Sequence, residues 1–133
     1  VISFFLPMKI PSVTSQQKRV CMIGGKPHHY DGARLKAARQ EYTLRLLPHK
    51  PKEPIAAGIP VKLAVRFVYK ARRKKDIGTW KTTRPDTDNM IKLLKDCMTA
   101  AGFWHDDAQV VCEHTEKQFG EVEGIYLTVE AIV

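Results

Sequence analysis

Apolar residues open the chain. Ile2 to Leu6 form a short run that Pro7 ends, which predicts a buried strand. From Met8 to Tyr30 the pattern breaks up among Pro, Ser, Gly and Lys; this stretch reads as loop, with Arg19 to Ile23 a short strand inside it. After Asp31-Gly32 the period changes. Leu35, Ala38, Tyr42 and Leu46 recur at helical spacing with Arg34, Lys36, Arg39 and Arg45 between them, which predicts an amphipathic helix to about Leu47. Pro48, Pro51 and Pro54 make residues 48–60 an extended connection. Val61 to Tyr69 then alternates, with Val61, Leu63, Val65, Phe67 and Tyr69 on one face and Lys62 and Arg66 on the other, as in a half-buried strand. A second helix is expected from about Asp88 to Ala101 on the stripe Met90, Ile91, Leu94, Cys97, Met98 and Ala101, stopped by Gly102. Val110 to Phe119 and Ile125 to Val133 read as two strands joined by Gly120 to Gly124, hence a closing hairpin. The order β, α, β, α, β, β predicts an α+β fold. It would be a mixed β-sheet with two main helices packed largely on one face, in a single domain over residues 1–133.

Composition narrows the class. The 133 residues are 44% hydrophobic and 27% charged, which suits a folded domain with a core and argues against disorder. No apolar run approaches the roughly 20 residues of a membrane span, so no membrane association is expected. Val1 to Leu6 is too short for the core of a signal peptide and lacks a basic flank. Cys21, Cys97 and Cys112 form no CxxC pair, which fits a reduced, cytoplasmic protein. The net charge of +8 is unevenly spread. Residues 1–85 carry 19 Lys/Arg against 4 Asp/Glu, and residues 86–133 carry 3 against 10. A polyanion held near a cluster of carboxylates would explain that split.

The basic side is concentrated in Arg66, Lys70, Arg72, Arg73, Lys74, Lys75, Lys81 and Arg84, with Asp76 the single acid among them and Trp80 in their midst. Such residues neutralise phosphates, and an aromatic stacks on or wedges against an exposed base; a solvated hairpin loop is the alternative. The acidic side begins at Arg84-Pro85-Asp86-Thr87-Asp88-Asn89. Pro85 biases the chain to arrive extended, so that Asp86 and Asp88 project to one side. Paired carboxylate oxygens suit Mg²⁺. Acids at a helix start also cap free N–H groups, which leaves the pair open between cap and metal site. Lys92, one turn after Asp88, is either a surface ion-pair partner or a cation beside a scissile phosphate. Asp96 continues that face, either orienting Lys92 or serving as a surface acid. Asp106-Asp107 follow Gly102-Phe103-Trp104-His105, and a third carboxylate closes the site only if the chain doubles back over the helix. The five histidines show no zinc spacing, and there is no P-loop, Rossmann glycine pattern or serine elbow.

Asp86-Thr87-Asp88-Asn89, Lys92, Asp96 and the run from Ala101 to Val111 together resemble the core of the RusA family of Holliday-junction resolvases, encoded largely by phages and prophages. The match runs from Asp86 to Val111 without a gap. After the first strand the family often carries a Pro-Pro-Ser segment, where this chain has Ile10-Pro11-Ser12-Val13-Thr14. The resemblance implies a Mg²⁺-dependent homodimer that nicks opposite strands of a four-way DNA junction in recombination and repair. It implies Asp86, Asp88 and Asp107 as metal-binding catalytic acids and Lys92 as the catalytic lysine. The basic loop, with Arg72, Arg73, Lys74, Lys75, Trp80, Lys81 and Arg84, is the expected DNA contact. The alternative is a non-catalytic basic nucleic-acid-binding protein whose acids are helix caps.

Overall fold

The computed structural model describes residues 1–12 and 18–133. Its elements are β1 (Ile2–Pro7), β2 (Lys18–Ile23), β3 (Lys26–Asp31), α1 (Ala33–Leu46), β4 (Val61–Lys70), α2 (Thr87–Ala101), β5 (Val110–Gly120) and β6 (Gly124–Ala131). Among the described residues β1, β6, β4 and β5 form one mixed sheet in that order, and β2 pairs with β3 in a separate ribbon. The predicted α+β class and its two helices are present. Val13 and Thr14 of the segment after β1 lie outside the described residues.

The core follows from the alternation in β4. Val61, Leu63, Val65 and Phe67 are buried, and β6 matches them with Ile125, Leu127 and Val129. α1 lays Leu35, Ala38, Tyr42 and Leu46 on this core, and α2 adds Met90, Ile91, Leu93, Leu94, Cys97, Met98 and Ala101. The opposite face of the sheet carries Arg66, His114, Glu116, Tyr126 and Thr128.

Two expectations change. Residues 26–31 form a strand rather than loop, because Gly24 and Gly25, at φ +57° and +78°, supply the two positive φ values of a tight hairpin turn. The closing hairpin does not form either. β5 and β6 do not pair; β4 lies between them, parallel to β5 and antiparallel to β6. β6 has the clean apolar alternation that an interior strand needs. The face of β5 toward the helices instead carries Glu113, Thr115 and Lys117, which suits an edge. The linking turn is held by Glu123, whose carbonyl and carboxylate accept the Met8 and Ile10 N–H groups at 3.3 and 2.8 Å. At Gly124 a Cβ would strike the Leu6 carbonyl and the Phe5 ring, so only glycine lets β6 enter beside β1.

Candidate active site

The basic segment leaves β4 and folds back on β5. Gly78 N–H donates to the Phe119 carbonyl at 2.9 Å, Phe119 N–H to Thr79 O at 2.9 Å, and Lys81 N–H to Lys117 O at 3.0 Å. This hem covers part of the outer edge of β5 and fixes the basic side chains beside it. Arg72, Arg73, Lys74, Lys75 and Arg84 are exposed, as is Trp80 at 60%. Lys81 is half-buried; its ammonium lies 4.9 Å from the Tyr69 ring centroid and 5.8 Å from that of Phe119, and donates to Thr83 Oγ1 at 2.6 Å. A cleft of about 600 Å³ opens here, lined by Lys70, Arg72, Arg73, Asp76, Lys81, Thr83 and Phe119. Arg73 is bound to Asp76 at 3.0 Å. Arg66 belongs elsewhere: it projects from the far face of the sheet and pairs with Glu116 at 2.7 Å. The His114 hydrogen bond, then Arg66, hold the Glu116 carboxyl below its usual range.

At Asp86 the chain turns into α2. Its backbone is extended (φ −74°, ψ 145°), and its carbonyl accepts the Met90 N–H at 3.2 Å. The helix therefore starts at Thr87, and Asp88 sits in its first turn rather than in the extended stretch expected. The Asp86 side chain accepts no capping hydrogen bond, so a capping role does not account for it. Both acids are exposed, as is Lys92. No Asp88–Lys92 ion pair forms among the described residues, and Asp96 is occupied by Arg39 at 3.6 Å, so it does not orient Lys92.

Sequence reasoning missed Lys117. Its ammonium reaches from β5 to the chain just before Asp86 and donates to the carbonyls of Thr83 and Pro85, both at 2.7 Å. Burial lowers its pKa, the Lys81 ammonium adds to that, and Asp86 opposes both. The available signal was scarcity, since Lys117 is one of only 3 Lys/Arg in residues 86–133.

The other end of α2 is built differently. Gly102, at φ +97°, ends the helix, and Phe103 and Trp104 fold into the core with Trp104 Nε1 donating to Thr99 Oγ1 at 2.7 Å. Asp106 caps the short 3₁₀ turn at Asp107–Gln109 by accepting the Ala108 N–H at 2.9 Å. Gln109 is buried: its Oε1 accepts the N–H groups of His105 and Asp106, and its Nε2 donates to the carbonyls of Ile55, Ala56 and Ile59. Of the two adjacent acids Asp106 is thus structural, whereas half-buried Asp107 caps nothing and pairs with no cation among the described residues.

Asp107 does not join Asp86 and Asp88. Lys95 of α2 binds Glu113 at 2.9 Å while Lys117 binds the Pro85 carbonyl, so α2 runs antiparallel to β5. Asp86 therefore lies at one end of α2 and Asp107 just beyond the other, a helix length of roughly 22 Å away. The chain doubles back only as β5, after Asp107. Accordingly, no three His, Cys, Asp or Glu side chains form a metal-binding group among the described residues.

The family model for endodeoxyribonuclease RusA matches residues 9–130. The chain is 36% identical over 126 residues to the crossover junction endodeoxyribonuclease of Lactococcus phage r1t, covering 93% of this chain and 92% of that protein. It is also 29% identical over 118 residues to YqaN of Bacillus subtilis, an uncharacterised protein, with 82% of each chain covered. The RusA crossover junction endodeoxyribonuclease of Escherichia coli K12 is 39% identical over 57 residues, 43% of this chain and 39% of that one. With two uncommitted acids at the start of α2 and matches that span nearly its whole length, this chain belongs to the RusA endodeoxyribonuclease family.

Proposed function

We propose that this chain is a structure-selective endonuclease that resolves four-way DNA junctions by paired nicks, in recombination and repair, in the cytoplasm of a bacterial host cell. The observation that carries this reading is the pair of exposed, uncapping carboxylates, Asp86 and Asp88, at the start of α2, where the chain arrives three residues after Thr83 of the basic cleft. The donor set fits Mg²⁺, which takes one or two carboxylates and leaves its other positions to water and phosphate. When bound, the ion supplies positive charge against the negative charge growing on the phosphate oxygens and eases ionisation of the attacking water. Asp86 and Asp88 hold it. The side chains of Arg72, Arg73 and Lys81 in the cleft, with the exposed Lys74, Lys75 and Arg84, hold the DNA backbone, and Trp80 offers a stacking face to an opened base. Lys92, one turn along the exposed side of α2, donates to a phosphate oxygen as its charge rises.

The third acid requires a second chain. A site that uses Asp107 together with Asp86 and Asp88 needs the partner subunit's Asp107, because within one chain a helix length separates them. A homodimer with two-fold symmetry brings each Asp86–Asp88 pair against the other subunit's turn and yields two equivalent sites for two opposite nicks.

Mixed dimers test both parts. Asp86→Asn and Asp107→Asn proteins, each inactive alone on a synthetic four-way junction with Mg²⁺, should recover nicking of one strand when combined, because one of the two sites is then intact. If the mixture stays inactive although heterodimers form, the shared site is wrong. If the unaltered protein does not nick junctions with Mg²⁺ at all, the endonuclease reading is wrong.

A further inference from the structure

Lys117 is not explained by an ion pair. It sits on the helix-facing side of the edge strand β5, half-buried, in the acidic half of the chain. Among the described residues it has no carboxylate within ion-pair distance. Two of its three N–H donors go to backbone carbonyls, of Thr83 and Pro85, at 2.7 Å each. Burying an ammonium is costly unless its donors are well placed, and charge-assisted bonds of this length are among the stronger ones. Both carbonyls belong to the segment that delivers Asp86, whose own side chain is held by no cap. The same strand backbone takes the Lys81 N–H on the Lys117 carbonyl at 3.0 Å, so residue 117 ties down both the cleft and the approach to the acids.

We infer that Lys117 is a positioning residue: by clamping the Thr83 and Pro85 carbonyls to β5 it fixes where the Asp86 carboxylate stands at the start of α2. It neither ligates the metal nor contacts the reacting phosphate. Partners that orient ligands in this way commonly change metal affinity or activity by about 10- to 100-fold when removed. The inference rests on the reading of Asp86 as a metal ligand.

The test compares Lys117→Met, Lys117→Arg and Asp86→Asn with the unaltered full chain. Mn²⁺ binding to metal-stripped protein without DNA is measured by titration, alongside single-turnover cleavage at saturating Mg²⁺ and junction affinity in EDTA. Lys117→Met should weaken Mn²⁺ by about tenfold, slow cleavage by a similar factor, and leave junction affinity within about twofold. Lys117→Arg, which keeps charge and donors, should recover most of both losses. Electrostatics alone predicts the opposite sign, since removing a cation beside Asp86 would tighten the metal. A Lys117→Met protein that binds Mn²⁺ as well as or better than the unaltered chain overturns the inference, whatever its cleavage rate. A loss of junction affinity matching the loss of rate also overturns it, by making Lys117 a phosphate ligand. If Lys117→Met does not fold, Lys117→Gln carries the same outcomes. Failure of the underlying reading is distinct: Asp86→Asn would then leave Mn²⁺ binding unchanged, whereas loss of Mn²⁺ in Asp86→Asn with retention in Lys117→Met rejects the positioning role alone.

Discussion

The two ends of α2 hold the same kinds of residue and use them oppositely. At the C-terminal end Trp104 is bonded to Thr99, Asp106 caps a turn, and buried Gln109 satisfies two N–H groups and three carbonyls. Polar groups there replace the hydrogen bonds that water would have made. At the N-terminal end Asp86, Asp88 and Lys92 are exposed, with neither cap nor ion pair among the described residues, although the helix start is where acids ordinarily cap. Side chains that forgo the bonds open to them locally are available to a ligand. The contrast also divides the adjacent pair Asp106-Asp107, one acid absorbed by the turn and the other left over.

Substitution within the acids is the severest challenge to this contrast. Asp86→Asn or Asp88→Asn should lower single-turnover cleavage by about 10³-fold or more, since the cation they hold contributes several kcal/mol of charge stabilisation. Junction binding in EDTA should persist or tighten slightly, because each change removes a charge that repels phosphate. Asp106→Asn, which still caps, should keep both cleavage and melting temperature near those of the unaltered chain. Equal losses in Asp86→Asn and Asp106→Asn would erase the distinction between the two ends.

Stability should show the reverse ranking. Gln109→Ala strands the His105 and Asp106 N–H groups and takes a donor from the Ile55 and Ile59 carbonyls, while Ala56 O keeps the Ile59 N–H at 3.1 Å; the side chain lost is only 9% exposed. Unsatisfied buried groups cost about 1–3 kcal/mol each, partly relieved where water enters, so a loss of about 2–4 kcal/mol in denaturant unfolding is expected. Asp88→Ala should move it by less than about 1 kcal/mol, the most that an exposed first-turn acid gains from the helix N-terminus. Gln109→Ala unfolding like the unaltered chain would mean that the turn holds itself.

Much of this was legible in the sequence, for identifiable reasons. The apolar period marked β1, α1, β4 and α2, because those elements bury one face against a common core. The acid spacing and the run to Val111 pointed to the family. Strand order was not legible: a short link between β5 and β6 reads as a hairpin, and only the packing of polar-faced β5 and apolar β6 on either side of β4 shows otherwise. Lys117 escaped for a related reason. A lysine in a strand looks like surface until β5 is set beside the Thr83–Pro85 segment, a long-range pairing that no local pattern encodes. The separation of Asp107 from Asp86 likewise depends on which way the chain turns after α2.

The smallest effect concerns charge rather than chemistry, and compares the basic loop with the lysines of the acidic half. Neutralising Arg72, Arg73, Lys74 and Lys75 together should weaken junction affinity and flatten its salt dependence. The slope of log K against log salt falls by roughly 0.9 for each duplex phosphate that the protein no longer neutralises. The change should fall short of one phosphate per residue replaced. Arg73 is held by Asp76 at 3.0 Å, and Lys74 and Lys75 stand outside the cleft that Arg72 lines, so a change equivalent to about two phosphates is expected. Lys95→Ala provides the counterpart: its ammonium is taken by Glu113 at 2.9 Å, and the slope should not move. Affinities measured across a salt series for both proteins decide the matter. A flat response to the loop change would remove residues 72–75 from the DNA interface, and a response to Lys95→Ala as large as that of the loop would mean that the DNA also crosses the helix face above β5.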